Sequence, residues 1–417
     1  MQVTSADLWE VEPGEVRAWT AVQDAAATPE PVGLSVNQRN HLAGAAAGER
    51  TVWLAACFEV DGPIDADALL SAFRALLARH TALQCEFLPC GTGAVRHDPA
   101  RLVFREQPLG GGGAAARLRS LLDRECTPFP YPAFALAAVS RPGRSTVVCG
   151  FDHAHVDAYS IALVARDLNA LYNGQELPIA TSFVARVAEW SGDPVEQDPA
   201  MVSWRGFLDA IDYRLPAFPL DIGLPAGETA AQATDRRRLA GARTAAELSE
   251  TAERAGTSTY GALLSTLASA LGSGALPVLA PVQIRRPEDA AAVGWFTTTV
   301  PVWADPELAR MGAHLGEARE RAGLPLDQVL AALPRPLEST RRDVFMVSYV
   351  DYRRLPGSRS SQHVSGTSPA DDVQLWLSRT EDGIDLRTRF PDVERAHRVV
   401  GSVLEDWSAE IRKAVRQ

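Results

Sequence analysis

Two histidines and two aspartates fall within six residues in the stretch Phe151-Asp152-His153-Ala154-His155-Val156-Asp157-Ala158-Tyr159-Ser160. An imidazole titrates near neutral pH, so it can take a proton from a nucleophile or, unprotonated, ligate a metal. Three readings are open on these residues alone. If the segment is extended, alternation puts His153, His155 and Asp157 on one face, which is a metal half-site. If Asp157 begins a helix, its carboxylate is an N-cap and the histidines are satisfied structural residues. If one histidine faces an acceptor hydroxyl or amine, it is a general base. The other histidines (His41, His80, His97, His314, His363 and His397) form no second cluster in the sequence.

The cluster lies where a strand meets a helix. Phe134–Val139 and Thr146–Phe151 are predicted strands separated by the turn Arg141-Pro-Gly-Arg144. Tyr159–Tyr172 is amphipathic and is ended by Asn173-Gly174. Upstream, Thr51–Val60 reads as a strand, Asp65–His80 as a helix capped by Asp65, Leu83–Leu88 and Leu102–Phe104 as strands, and Ala114–Leu122 as a helix. Trp9 to Trp19 reads as a short hairpin turning at Pro13-Gly14. The second half alternates in the same style, with helices at 182–192, 199–212, 245–255, 259–271, 307–322 and 326–332. Its strands are expected at 277–284, 294–302, 344–350, 373–379 and 384–390, before a helix over Val393–Val415. Gly357–Asp371 reads as a mobile polar loop. The pattern is α+β in two lobes, 1–175 and 176–417, divided in the Gly- and Pro-containing segment Gly174–Thr181.

At 417 residues two cores are expected rather than one. A net charge of -11 argues against a nucleic-acid partner, which needs clustered Lys and Arg. Lys413 is the sole lysine, which we read as codon bias of a GC-rich genome. Cys57, Cys85, Cys90, Cys126 and Cys149 are scattered and form no CxxC pair, against a zinc ribbon or disulfide framework. No charged-then-apolar leader opens the chain and no apolar run reaches the roughly 18 residues of a membrane span, so a cytoplasmic setting is expected.

The spacing His153-x-x-x-Asp157 resembles the HHxxxDG motif of the condensation-domain and polyketide-associated (Pap-type) acyltransferase families, with Asp152 in place of the first His and Ala158 in place of Gly. Other segments resemble the family's motifs in the family's order. Ser35-Val-Asn-Gln38-Arg39 resembles S-x-x-Q-x-R, and Arg79-His80-Thr-Ala-Leu83-Gln84-Cys-Glu-Phe87 resembles RHxxLRxxF. Pro281-Val282-Gln-Ile-Arg285-Arg286-Pro287 is similar to PVxGRP, with Arg285 at the Gly position. Val293-Gly294-Trp295-Phe296-Thr297-Thr298-Thr299-Val300-Pro301-Val302 is similar to GxFxNTxPxR. Leu324–Gln328 and Val344–Tyr349 resemble two late motifs, and Trp9 to Trp19 resembles the start of mycobacterial Pap-type enzymes that acylate trehalose. The stretch is also similar to the HxHxDH motif of metallo-β-lactamase-type hydrolases, but Ala158 stands where that motif ends in His.

The acyltransferase resemblance implies two chloramphenicol-acetyltransferase-like lobes forming a V-shaped pseudo-dimer with a central active-site tunnel. It implies a stand-alone enzyme, without metal or bound cofactor, that moves an acyl group from acyl-CoA or an acyl carrier protein thioester to a small-molecule or sugar alcohol. Amide formation and a degenerate recruitment domain are the alternatives, the second because of Asp152 and Ala158. No nucleic acid or membrane span is implied, and a monomer is expected. His153 takes the role of base, and Asp157 orders the loop by pairing with Arg286. Asp152, His155, Ser160, Trp295, Thr297 and Thr298 are possible site neighbours, with His155 leaning to structure and Trp295 and Phe296 to packing. Oxyanion donors would come from the backbone N–H groups of Val156 to Ala158 or from the threonines.

Overall fold

Three strands of this chain, Trp53–Asp61, Phe134–Ser140 and Arg144–Asp152, are apolar along most of their length, and alternation sends their side chains to two faces. Leu54, Ala56, Phe58, Leu136, Ala138, Val147, Cys149 and Phe151 lie on one side, and Ala55, Cys57, Ala135, Ala137, Val139 and Val148 on the other. Such strands must be covered twice, and they are.

The computed structural model describes residues 2–23, 30–89, 93–129, 131–192, 197–357 and 361–416. The strands of the first half are β1 (Gln2–Ser5), β2 (Glu15–Gln23), β3 (Glu30–Val32), β4 (Trp53–Asp61), β5 (Cys85–Phe87), β6 (Ala94–Arg96), β7 (Leu102–Glu106), β8 (Phe134–Ser140) and β9 (Arg144–Asp152). Those of the second half are β10 (Gln232–Gly241), β11 (Leu276–Gln283), β12 (Thr297–Ala304), β13 (Met346–Asp351), β14 (Ser361–Ser365), β15 (Gln374–Thr380) and β16 (Gly383–Pro391). The helices are α1 (Val36–Ala46), α2 (Ala66–Arg79), α3 (Ala114–Glu125), α4 (Ala158–Tyr172), α5 (Phe183–Trp190), α6 (Pro199–Ala210), α7 (Ala242–Arg254), α8 (Thr259–Ala270), α9 (Met311–Ala322), α10 (Leu326–Ala331) and α11 (Glu394–Ala414).

Two compact units result. The first holds residues 1–191 together with 285–296 and 354–368; the second holds 192–284, 297–353 and 369–417. The first unit has a seven-stranded sheet in the order β1-β14-β4-β9-β8-β2-β7 and a small sheet β3-β6-β5. Helices α2 and α4 cover one face of the large sheet through Leu69, Phe73, Leu76, Ile161, Val164 and Leu168, and α3 covers the other through Leu118, Leu121 and Leu122. The second unit has a six-stranded sheet, β10-β16-β15-β13-β11-β12, whose core includes α7, α8, α9 and the Val400, Leu404 and Trp407 face of α11.

Three sequence expectations are corrected. Residues 9–14 form no strand, so there is no hairpin at Pro13-Gly14; β1 instead pairs in parallel with β14. The expected mobile loop over 357–371 contains β14, clamped between β1 and β4. The N-terminal part of the expected 294–302 strand belongs to the turn around Trp295, and β12 starts at Thr297. Cys57, Cys85, Cys126 and Cys149 are buried free thiols; Cys90 lies outside the described residues. No helix among the described residues is long and apolar enough to cross a membrane.

Candidate active site

Strand β9 ends at Asp152, which sits opposite Trp53 of β4. Its buried carboxylate accepts a hydrogen bond from Ala154 N at 2.9 Å and so starts a single 3-10 turn, His153–His155. Two residues later Asp157 accepts from Ser160 N at 2.8 Å and starts α4. The segment is therefore two capped turns and not an extended strand. At three residues per turn, His153 and His155 point about 120° apart. The extended geometry on which a metal half-site depends is absent, and no group of three or more His, Cys, Asp or Glu among the described residues is placed to hold a metal ion.

His153 is half-buried and stacked on the indole of Trp295, with ring centroids 4.1 Å apart and planes 29° apart. Its backbone N–H donates to Val52 O at 3.0 Å, which fixes the turn to the strand beside it. Its Nδ1 is buried without a hydrogen-bond partner, which leaves Nε2 as the ring nitrogen for a reactant. Burial, and then the nearby charge of His41, lower its pKa against the pull of its own carbonyl, Asp152 and Asp157. The ring is thus held in the unprotonated form that a base requires.

His155 has the opposite surroundings. It is sealed from solvent, its Nδ1 donates to Ala82 O at 2.8 Å, and its ring lies 4.7 Å from that of Phe87. Burial lowers its pKa too. It ties the turn to the segment leading into β5 and has no path to a substrate.

Asp157 lies beneath the turn, 2% exposed. Besides capping α4 it accepts from Phe296 N at 3.1 Å, and the Nη1 of Arg285 stands 3.8 Å from the same oxygen. Arg285 also donates to Ser160 Oγ at 3.1 Å, to Ala292 O at 2.8 Å and to Asp289 O at 3.1 Å, with its guanidinium over the rings of Tyr159 and Phe296. Burial lowers its pKa, with Asp157 opposing. The pairing expected of Arg286 is therefore made by its neighbour. Arg286 is half-exposed and reaches Glu189 at 3.3 Å, because successive residues in an extended segment face opposite ways.

Ser160 is buried between backbone groups: its hydroxyl donates to Gly294 O at 2.7 Å and accepts from Gly294 N at 3.0 Å. A side chain at Gly294 would come within 2.2 Å of the Phe183 ring, so only glycine fits there. Trp295, read from the sequence as packing and a possible site neighbour, packs against the Phe183 and Phe296 cluster and stacks on His153, and Phe296 lies 5.0 Å from Phe183. Thr297 and Thr298 lie on β12 of the second unit, paired with Gln283 and Val282. Of the suggested oxyanion donors, Val156 N is already committed to His153 O at 3.3 Å.

The remaining motif residues act as clamps. Ser35 and Gln38 form a reciprocal cap at the start of α1, and Gln38 Nε2 also donates to Ala154 O at 2.9 Å. Arg79 and His80 both reach Asp167 of α4, at 3.0 and 3.2 Å, and His80 Nδ1 accepts from Val293 N at 3.4 Å. Gln84 donates to Leu77 O and Ala78 O, carbonyls that the end of α2 leaves unpaired. One site residue escaped the sequence reading. His41 Nε2 stands 2.9 Å from Asp152 Oδ1. The signal was its place three residues after Gln38, on the same face of a helix that already touches the turn.

With this geometry in hand, comparisons with known proteins are informative. A family model for the condensation domain matches residues 132–369, more than half of the chain. Acyltransferase PapA3 of Mycobacterium tuberculosis is 23% identical over 94% of this chain and 92% of its own. The 2'-acyl-2-O-sulfo-trehalose (hydroxy)phthioceranyltransferase PapA1 of Mycobacterium bovis is 24% identical over 84% of this chain and 75% of its own. Among solved structures, PapA2 acyl transferase superposes with a TM-score of 0.84 at 20% identity, covering 100% of both chains.

Proposed function

This chain belongs to the condensation-domain family, and from that membership we propose that it is a stand-alone, His153-dependent acyltransferase forming an ester in lipid, glycolipid or natural-product biosynthesis. The donor is a thioester, acyl-CoA or an acylated phosphopantetheinyl carrier protein, and the acceptor is an alcohol on a small molecule or sugar. The names of PapA3 and PapA1 support acyl transfer, and that of PapA1 supports a sugar acceptor.

One observation carries the reading: an imidazole on a capped turn, with Nδ1 buried, its face covered by Trp295 and its pKa lowered by burial. The acceptor O–H gives its proton to His153 Nε2 as its oxygen bonds to the thioester carbonyl carbon. The tetrahedral intermediate collapses, the C–S bond breaks, and the thiolate leaves as a thiol with the proton from His153. Asp157 and Arg285 keep the turn in place and touch no reacting atom.

The test is thiol release. The purified chain is incubated with acyl-CoA, or with an acylated carrier protein, and a panel of alcohols and amines. Free thiol is measured and products are weighed by mass spectrometry. Thiol release that requires an alcohol and is lost in His153→Ala supports the proposal. Equal release by His153→Ala, or products that are only amides, overturns it.

A further inference from the structure

The His41–Asp152 pair lies outside the roles assigned so far. Asp152 is fully buried, and a buried carboxylate needs a compensating partner. Among the described residues its ion-pair partner is His41, from α1, at 2.9 Å. The His41 ring also packs edge-on against Trp295 at 5.9 Å and lies 6.2 Å from the ring of His153. Three rings from three separate segments, α1, the 153–155 turn and the 285–296 segment, therefore meet over one carboxylate.

We propose that His41 is a positioning residue for the transfer reaction: protonated and held by Asp152, it sets the ring of His153 against Trp295 and disfavours a second proton in the cluster. This rests on His153 being the base. The charged and titratable groups facing the cluster are Asp152 at the end of β9, His153 and His155 on the turn, Asp157 at the start of α4, Glu49 just beyond α1, and the buried Cys126 thiol after α3, whose pKa burial and then Asp152 push up; Trp295 brings no charge. Their balance agrees with the geometry. Burial opposes a proton on His41, but Asp152 and then Glu49 outweigh it and raise its pKa. Burial works against the charge on Asp152 as well, yet His41 and the Ala154 N–H hold its carboxyl below the usual range. A sequence with Asp in place of the motif's first His thus recovers a histidine at the site from another element.

The test is a titration of the histidine rings by NMR in the full chain, with His153→Ala used to assign the His153 signal. In His41→Gln the new amide still donates to Asp152, but the positive charge is gone and the carboxylate is left facing His153. The His153 midpoint then rises by about two pH units, the effect of a unit charge at this distance in an effective dielectric of about 20. The acid limb of the acyl-transfer pH profile moves up with it. An unmoved or lowered His153 midpoint in folded His41→Gln overturns the proposal, because a hydrogen-bonding role alone survives in Gln. In Asp152→Asn the His41 midpoint falls; if it stays where it is, the pair does not hold the charge and the proposal is wrong. The ring titrations need no substrate, so they stand or fall apart from the acyl-transfer assay, which alone decides whether His153 is the base.

Discussion

His153 and His155 stand two residues apart on one turn, on either side of Ala154, and their surroundings differ. One ring is half-buried on Trp295 with its Nδ1 unpaired; the other is sealed against Phe87, with its Nδ1 bonded to Ala82 O and its Nε2 unpaired. The turn itself does not choose between them. Segments far away in sequence do, with 285–296 and α1 on the side of His153 and 81–87 on the side of His155. Tertiary contacts thus give the two rings of one turn different environments, and the proposed base is the ring that is not sealed.

The sharpest way to break that contrast is to truncate each histidine in turn. His153→Ala is expected to lower acyl-transfer turnover by about a thousandfold, within the usual range for a lost general base, while circular dichroism and urea unfolding stay near wild type. A second large effect falls on stability. Arg285→Ala takes a guanidinium from beside the sealed Asp157 carboxylate and removes two ring contacts. It should cost the first unit about 3 kcal/mol in urea unfolding, as for other broken buried pairs.

His155→Ala should behave as the mirror image of His153→Ala. It loses one buried hydrogen bond and the packing on Phe87, roughly 2 kcal/mol of stability, and the folded fraction keeps most of its activity. The pH dependence sharpens this further. His153, His155 and His80 all have pKa values lowered in the folded state, so below about pH 6.5 the unfolded chain binds protons that the folded chain refuses. Their contribution to stability therefore falls as pH drops through that value and levels off below the folded pKa values, while His41, whose pKa is raised in the folded state, opposes the fall. In His155→Ala the fall is shallower; an unchanged slope would mean that this ring is not held neutral.

Much of the first unit was legible because its elements carry their own signals. The apolar runs of β4, β8 and β9 and the Asp65 and Asp157 caps appear where the residue pattern puts them. What was not legible depended on partners. Ser361–Ser365 reads as a polar loop because Ser, Gln and His dominate it; it is a strand only because β1 and β4 flank it on both sides. Helix α1 buries just Val36, Gln38 and Leu42 and has no apolar stripe to announce it, so His41 could not be placed. Strand β10 carries Arg236, Arg237 and Arg238 on a sheet edge, where polar residues face water. At the site, the motif spacing points to Arg286 as the partner of Asp157, whereas the backbone turns Arg285 inward to it.

The two adjacent arginines give the contrast a second instance and its smallest test. Arg285 and Arg286 are adjacent and identical in type, and the motif favours Arg286, yet Arg285 is 4% exposed at its side chain and Arg286 54%. The ion pair of Arg286 with Glu189 has both side chains more than half in water, where solvent screening and side-chain entropy leave about 0–1 kcal/mol. Arg286→Ala should therefore shift urea unfolding by less than about 1 kcal/mol and leave turnover within about twofold, against about 3 kcal/mol for Arg285→Ala. Comparable losses from the two substitutions would mean that Arg286 reaches Asp157 in solution. The order of effects follows from burial, because the same guanidinium charge is worth more where water cannot replace its partner.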